Sequence, residues 1–440
     1  MRRKAVALFI TCVMTGTMAA CGTGGDAGTS QEGGSSGSNV KLEMCIGGEI
    51  DQDSQKVLNA LIDEYTEETG VEVEVVASGN DHESVMKTRM ASNDMPDIWS
   101  THGWAVLRYG DYALDLADQD WVGNMDEAVK SVVTDGDGKV DACPLTEWTY
   151  GIVYDEQVFS DNGIEPYSLK TMDDLFAACE KLKEAGVTPF TTGAKDGQPF
   201  AGMMEMMNSF YTIDGAPYAS NDQLKDGTFD WSENTQILEL MADIFDNGWL
   251  NEDIFTADNT TSLKQLGTGE YAMRLWGGPT EIASLSRYFP DRSYGLIPIP
   301  AVEEGGSQVY TVGEGTSFAI SKNSEHQEEC LELLSFLVES ENLAQYAAVN
   351  GGLPGLKGIE LEDNNSLEAY NKSVEEAGDS LQYSNFFDRE YMPSGMWNAM
   401  QEAGAKLYNG DVGTAKDRIS EAAEYLQENY DTLYESSGNQ

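Results

Sequence analysis

At 440 residues, 40% of them hydrophobic and 10% aromatic, the chain can bury a sizeable core, and its length suits two domains better than one. Its formal charge is −50, from 76 acidic against 26 basic residues. Such a field repels phosphate backbones and anionic headgroups alike, which argues against nucleic-acid binding and electrostatic membrane adhesion; the carboxylates are spread rather than blocked and read as a solubilising coat.

The chain opens on Arg2-Arg3-Lys4, continues with an apolar stretch from Ala5 to about Met14, and reaches the small residues of Met18-Ala19-Ala20-Cys21. Basic, apolar and small in that order is a signal peptide, here residues 1–20, and so short an apolar run cannot span ~30 Å of hydrocarbon. The small-small-Cys ending resembles a bacterial lipobox, with Met18 where Leu is commoner, and implies that the Cys21 thiol carries a lipid after cleavage. An ordinary leader cut nearby, with Cys21 incidental, is the alternative. From Gly22 to Ser38 the residues are nearly all Gly, Ser, Thr, Asp, Gln and Glu, so 21–39 reads as a lipidated cysteine and a flexible tether with nothing to bury.

The body begins near Val40, where Val40-Lys41-Leu42-Glu43-Met44 alternates apolar and polar as a strand does. Ser54 to Glu68 is an amphipathic helix with Val57, Leu58, Leu61, Ile62 and Tyr65 on one face and Gly70 as its stop. Val71 to Val76 alternates as a second strand, and a polar helix from Asp81 to Asn93 leads into Met95-Pro96-Asp97-Ile98-Trp99. Strand, helix, strand, helix, strand with short links specifies a mostly parallel sheet covered by helices on both faces, and ligands of such sheets bind outside the carboxyl ends of the strands.

Asp135 to Asp141 has the acidic spacing of a calcium loop, but Lys139 stands at a ligand position and no Glu closes the loop, so it reads as a hairpin turn. Gly151 to Tyr154 is another strand. Thr171 to Ala185 is a helix with Thr171 as N-cap, Asp173 and Asp174 in the first turn and Gly186 as stop. Further helices are expected over Glu233–Asn247, His326–Glu339, Leu343–Val349, Ser366–Ala377, Gly395–Tyr408 and Val412–Tyr430. Cys45, Cys143, Cys179 and Cys330 show no CxxC or Cys/His metal spacing; they form two disulfides or stay as buried thiols. No second low-complexity linker separates domains, so the chain crosses between them more than once and a cleft lies at the crossings.

Seven stretches then stand in order behind the lipobox. They are Met95-Pro96-Asp97-Ile98-Trp99, Tyr150 to Phe159, Gly269-Glu270-Tyr271-Ala272-Met273, Trp276-Gly277-Gly278-Pro279, Phe318 to Ser324, Gly351-Gly352-Leu353-Pro354, and Met392-Pro393-Ser394-Gly395-Met396-Trp397. Over nearly the whole mature chain this series resembles the family 1 extracellular solute-binding proteins, the sugar receptors of bacterial ABC importers. The resemblance implies an α/β, two-lobed periplasmic-binding-protein-like fold of type II, with a ligand cleft between lobes joined by several hinge crossings near Glu147–Gly151, Tyr310–Thr316 and Gly352–Lys357. Lobe one would hold 40–148 and 317–355, lobe two 149–316 and 356–440. The implied role is a monomer anchored by its lipid to the outer face of the cytoplasmic membrane. It would capture a carbohydrate, an oligosaccharide rather than a monosaccharide, and deliver it to permease subunits served by a separate ATPase. No cofactor and no metal are called for.

A sugar ring offers C–H patches on its faces and hydroxyls around its rim, so aromatic faces and polar side chains are its natural partners. Trp397 stands where the family's recurrent C-terminal aromatic does. Trp276 opens the Trp-Gly-Gly-Pro turn, although some relatives carry the aromatic where this chain has Thr280. Trp104 and His102 follow the strand end at 97–99, Glu49 and Asp51 lie in the loop after the first strand, Trp148 and Tyr150 stand at the first hinge, and Asn208 follows Glu205-Met206-Met207 in a helix. Each has a plainer reading, since a Trp is more often core than ligand shelf and an exposed carboxylate is usually only solvated. The three histidines, His82, His102 and His326, form no HExxH, and there is no P-loop, GxSxG or CxxC, so catalysis is not indicated. Two carboxylates brought together in space would still make a lipid-anchored glycan-degrading enzyme. A polyamine in an acidic aromatic cleft, or a peptide clamped by Arg108, Arg274 or Arg389, would keep the receptor and change its ligand.

Overall fold

The computed structural model describes residues 40–47, 52–79, 82–101, 105–195, 199–350, 352–362, 364–409 and 413–437. The expected leader, Cys21 and tether lie outside the described residues. Alternation and β-branched runs produce twelve strands among the described residues: β1 (Lys41–Ile46), β2 (Glu72–Ala77), β3 (Ile98–Thr101), β4 (Cys143–Pro144), β5 (Thr146–Asp155), β6 (Thr188–Phe190), β7 (Tyr271–Gly277), β8 (Tyr294–Ile297), β9 (Gln308–Glu314), β10 (Ser317–Ile320), β11 (Leu353–Pro354) and β12 (Leu381–Asn385).

They form two sheets. The first runs β2-β1-β3-β10-β4, with β1 parallel to β2 and β3, and β10 antiparallel to β3 and β4. Its edge strand β2 is exposed along most of its length, and Glu72 and Glu74 give that edge the charge that discourages pairing with another chain. The second runs β12-β9-β5-β7-β6, with β8 and β11 also pairing β5. The parallel arrangement expected from the alternating elements therefore holds for β1, β2 and β3. It gives way around β5, whose partners β7, β8, β9 and β11 are all antiparallel to it.

Each sheet has its own core. One draws on Leu42, Met44, Leu58, Trp99, Leu145, Phe318, Leu333 and Tyr346; the larger one on Ile152, Phe159, Leu182, Phe200, Trp231, Met273, Met400 and Tyr430. The helices that cover them start and stop near the expected signals. Ser54–Glu68 is observed as Gln52–Thr69, Asp81–Asn93 as His82–Ser92, and Val412–Tyr430 as the longer Ala415–Ser437. At Met172–Glu184, Thr171 accepts from Asp174 N–H while the Asp174 carboxylate accepts from Thr171 N–H, a reciprocal cap. The Asp135 loop is a turn: Asp135 Oδ1 accepts from the N–H groups of Asp137 and Lys139, both at 2.9 Å, and Thr134 bridges Val140 antiparallel. Cys45, Cys143, Cys179 and Cys330 are all free thiols and buried, which rules out the two disulfides. Each lies in an apolar core, where a thiol packs as a small hydrophobe.

The chain passes between the sheets at Leu145, at Gly315–Thr316 and on the approach to β11, which already pairs β5. Those passages are laced together: Gly315 N–H donates to Thr146 O at 2.7 Å, Leu145 N–H to Thr316 O at 2.9 Å and Gly355 N–H to Leu145 O at 3.1 Å, while Leu353 pairs with Glu147. The first crossing falls a little ahead of the expected Glu147–Gly151, because Thr146 to Thr149 already belong to β5 and its ladders with β11 and β9.

Candidate functional site

Alternation along β5 puts Trp148 and Tyr150 on one face, half-buried, while Glu147 and Thr149 turn the other way and are buried. The Trp148 and Tyr150 ring centroids are 6.3 Å apart. Pairing of β5 with β7 sets Gly151 opposite Gly277, so Trp276 reaches Tyr150 at 5.3 Å. Trp397, in the first turn of the helix Met396–Tyr408, packs on Trp276 at 5.6 Å. Phe386, just past β12, adds a fifth ring 5.7 Å from Tyr150. Four of the nine residues singled out from the sequence thus form one continuous aromatic strip along the ends of β5, β7 and β12.

Local chemistry fixes the strip at its centre. Trp276 has φ +55°, a left-handed backbone that costs a non-glycine residue about 1–2 kcal/mol. Two contacts offset that cost: its N–H donates to Met206 Sδ at 3.1 Å, and its indole lies on Gly202, where a Cβ would fall 2.4 Å from the ring. Gly278 is required for the same reason of space, since a Cβ there would sit 2.0 Å from Thr149 O.

The remaining candidates divide. Asn208 is fully buried; its amide donates to Asn385 O at 2.7 Å and its carbonyl oxygen accepts from Thr212, so in this structure it supports the β12 end from behind. Glu49, Asp51, His102 and Trp104 lie outside the described residues. Beside the strip the two halves of the chain touch: Arg108 donates to Ser394 Oγ at 3.4 Å, and Asn385 to Ser131 Oγ at 2.6 Å. Of the arginines considered as carboxylate clamps, Arg108 pairs with Glu83, Arg274 is buried against Ser262 and Asn259, and Arg389 faces Glu314. A groove of about 660 Å³ between Lys56, Val57 and Val349 on one side and Ala283, Arg287 and Asn365 on the other shares no residue with the strip.

The site's electrostatics are carried by buried carboxyls at its base. Burial pushes the Glu147 carboxyl up to about 8, with Thr149 Oγ1 donating to it at 2.9 Å, and pushes Glu314 up to about 7 against the pull of Arg389. Glu205 and Asp388, both buried, are raised chiefly by the loss of water; Asp388 adds to the rise at Glu205, while Arg389 and Glu205 hold Asp388 back. Phe386, Glu205 and Glu314 went unnoticed in the sequence. The first two sit among apolar residues of no special spacing, and the third is one carboxylate among 76 acidic residues. Among the described residues no group of His, Cys, Asp and Glu is arranged to hold a metal ion. Stacked rings edged with polar groups suit a ligand with apolar faces and a hydroxyl rim.

Known proteins share this fold. The melibiose/raffinose/stachyose-binding protein MelE of Bacillus subtilis is 29% identical over 346 residues, 78% of this chain and 79% of that one. A sugar transporter from Bacillus licheniformis crystallised with stachyose superposes with a TM-score of 0.76 at 29% identity, covering 90% of this chain and all of that one. A Bacillus subtilis binding protein in an open conformation gives 0.80 at 26% identity over 91% of this chain. The two solved structures are two-lobed proteins of the same fold. The family pattern of bacterial extracellular solute-binding proteins matches residues 60–375, most of the folded body, and the chain belongs to that family.

Proposed function

We propose that this protein is the extracellular receptor of an ABC importer for an oligosaccharide, held in a cleft between two lobes and delivered to a separate permease. The observation that carries this reading is the strip Trp148–Tyr150–Trp276–Trp397, with Phe386 beside it, at the place where the two sheets are joined. Several successive ring faces suit several successive sugar rings, each stacked by its C–H face. The names of relatives that bind raffinose and stachyose point to that class of ligand. Lobe one is taken as 40–148 and 317–355 and lobe two as 149–316 and 356–440; the separate cores support the division in outline, although Thr146–Trp148 and β11 pair within the second sheet and Leu356 packs in the first core. Glu49, Asp51, His102 and Trp104 are proposed as further ligand contacts on the strength of their place in the sequence. Cys21 would carry the lipid that keeps a monomeric receptor at the outer face of the membrane, and the chain would perform no catalysis.

The test is thermal unfolding of the mature protein with raffinose, stachyose, maltodextrins, monosaccharides, polyamines and peptides. A ligand at about 100 times its Kd stabilises the native state by ~2.7 kcal/mol, a shift of several degrees. A shift with one glycan class alone is the expected result. Shifts confined to polyamines or peptides would overturn the ligand, and breakdown of a glycan by the protein would overturn the receptor.

A further inference from the structure

The segment after β12 supplies one wall of the strip, and an arrangement of buried charges holds it. Glu205, fully buried on the helix Pro199–Met206, accepts the N–H groups of Phe387 at 2.5 Å and Asp388 at 2.8 Å. Arg389 then turns back toward β9. Its Nη1 donates to Glu314 O at 3.1 Å and stands 3.4 Å from Glu314 Oε1. The guanidinium lies 4.3 Å from the centroid of Phe386 and 5.6 Å from that of Trp148. Glu314 ends β9 at the second crossing between the sheets, is fully buried, and neither of its carboxylate oxygens has a hydrogen-bond partner among the described residues.

We propose that Arg389 is a positioning residue of the ligand site: braced by Glu314 at the hinge, it sets the faces of Trp148 and Phe386 against which ligand packs, so ligand affinity depends on this ion pair. The proposal rests on reading the aromatic strip as the ligand site. The argument is one of shape and charge. A guanidinium is planar and stacks on two rings while its edge meets a carboxylate, which an ammonium cannot do. A buried carboxylate that loses its cation takes up a proton, and protonation in turn removes the charge that holds the arginine. The groups facing the pair are Asp388 on the same segment, Glu205 on its helix, Glu147 in register across β5, and Arg108, whose charge reaches Asp388. Since burial already raises Glu314 to about 7, acid should loosen the brace within a mild pH range.

The experiment uses the mature protein and its Glu314→Gln and Arg389→Lys variants. Raffinose and stachyose affinities are measured by calorimetry from pH 5.5 to 8.5. Tryptophan fluorescence of the ligand-free protein is followed over the same range, with Trp148→Phe identifying the contribution of that ring. We expect about tenfold weaker binding in both variants at pH 8, and a Trp148 signal that titrates near neutrality in the native protein and not in Glu314→Gln. Affinities within twofold of native, with the Trp148 titration intact in Glu314→Gln, would overturn the proposal. If the native protein binds neither sugar, the ligand reading falls, and the fluorescence titration alone decides the brace. If Glu314→Gln does not fold, Arg389→Lys and Arg389→Gln are judged by the same two readouts.

Discussion

Trp397 shows how much one side chain can be asked to do. It sits in the first turn of its helix with its ring on Trp276, at the outer end of a strip whose inner members are tied down by strand pairing. Truncating it removes a ligand face and little of the core, since its partly buried ring borders the larger hydrophobic cluster rather than filling it. Trp397→Ala should therefore weaken binding of the cognate sugar roughly tenfold or more, about 1.4 kcal/mol or above, with the unfolding midpoint of the ligand-free protein nearly unchanged; titration calorimetry beside a thermal melt checks both. Trp397, Trp276 and Tyr150 stood in stretches of the sequence that carry the family resemblance and Trp148 at the expected first hinge, and the structure brings these four rings together. Arg389 was considered there only as a clamp for a ligand carboxylate. Its actual partner, Glu314, is 75 residues away in the chain and becomes its neighbour only once β12 pairs with β9. A local pattern carries no trace of such a contact.

At the scale of elements, the strip depends on how closely the helix Pro199–Met206 approaches β7. Gly202 makes that approach, and it is the left-handed Trp276 that fills the space a side chain would take. Gly202→Ala should force the indole aside, destabilising the protein by about 1–3 kcal/mol as overpacking does and weakening ligand binding at the same time. Urea unfolding together with calorimetry would show the two effects; a variant with native stability and affinity would mean that the helix can shift to make room. Elements themselves were read well where signals were punctual, as at Thr171 and Gly186, and less well where the chain crosses between sheets. Thr146 to Thr149 carry no apolar alternation of the usual kind, and they form a strand because β9 and β11 supply partners on both sides. The mixed directions of the second sheet had no local signal either, being set by which distant strands find β5.

For the molecule as a whole, the buried carboxyls make stability depend on pH. Glu147 and Glu314 have folded values near 8 and 7 against an ordinary 4.5, so between those limits the native state holds more protons than the unfolded chain. Stability is then greatest below about pH 4.5 for these two groups and falls as pH rises toward 8, by up to ~1.4 kcal/mol per pH unit for each carboxyl while it titrates. Urea unfolding at pH 5, 6, 7 and 8 should show the decline, and Glu147→Gln should flatten it relative to the native protein measured under the same conditions. The interleaved path of the chain has a second consequence, for assembly. In the first sheet β10 lies between β3 and β4, yet it follows them by well over a hundred residues, after nearly all of the second sheet. A nascent chain ending before Ser317 has no strand to join β4 to its sheet. Closing that long loop makes folding slow, and slow folding keeps a polypeptide threadable through a narrow export pore until its last third has passed.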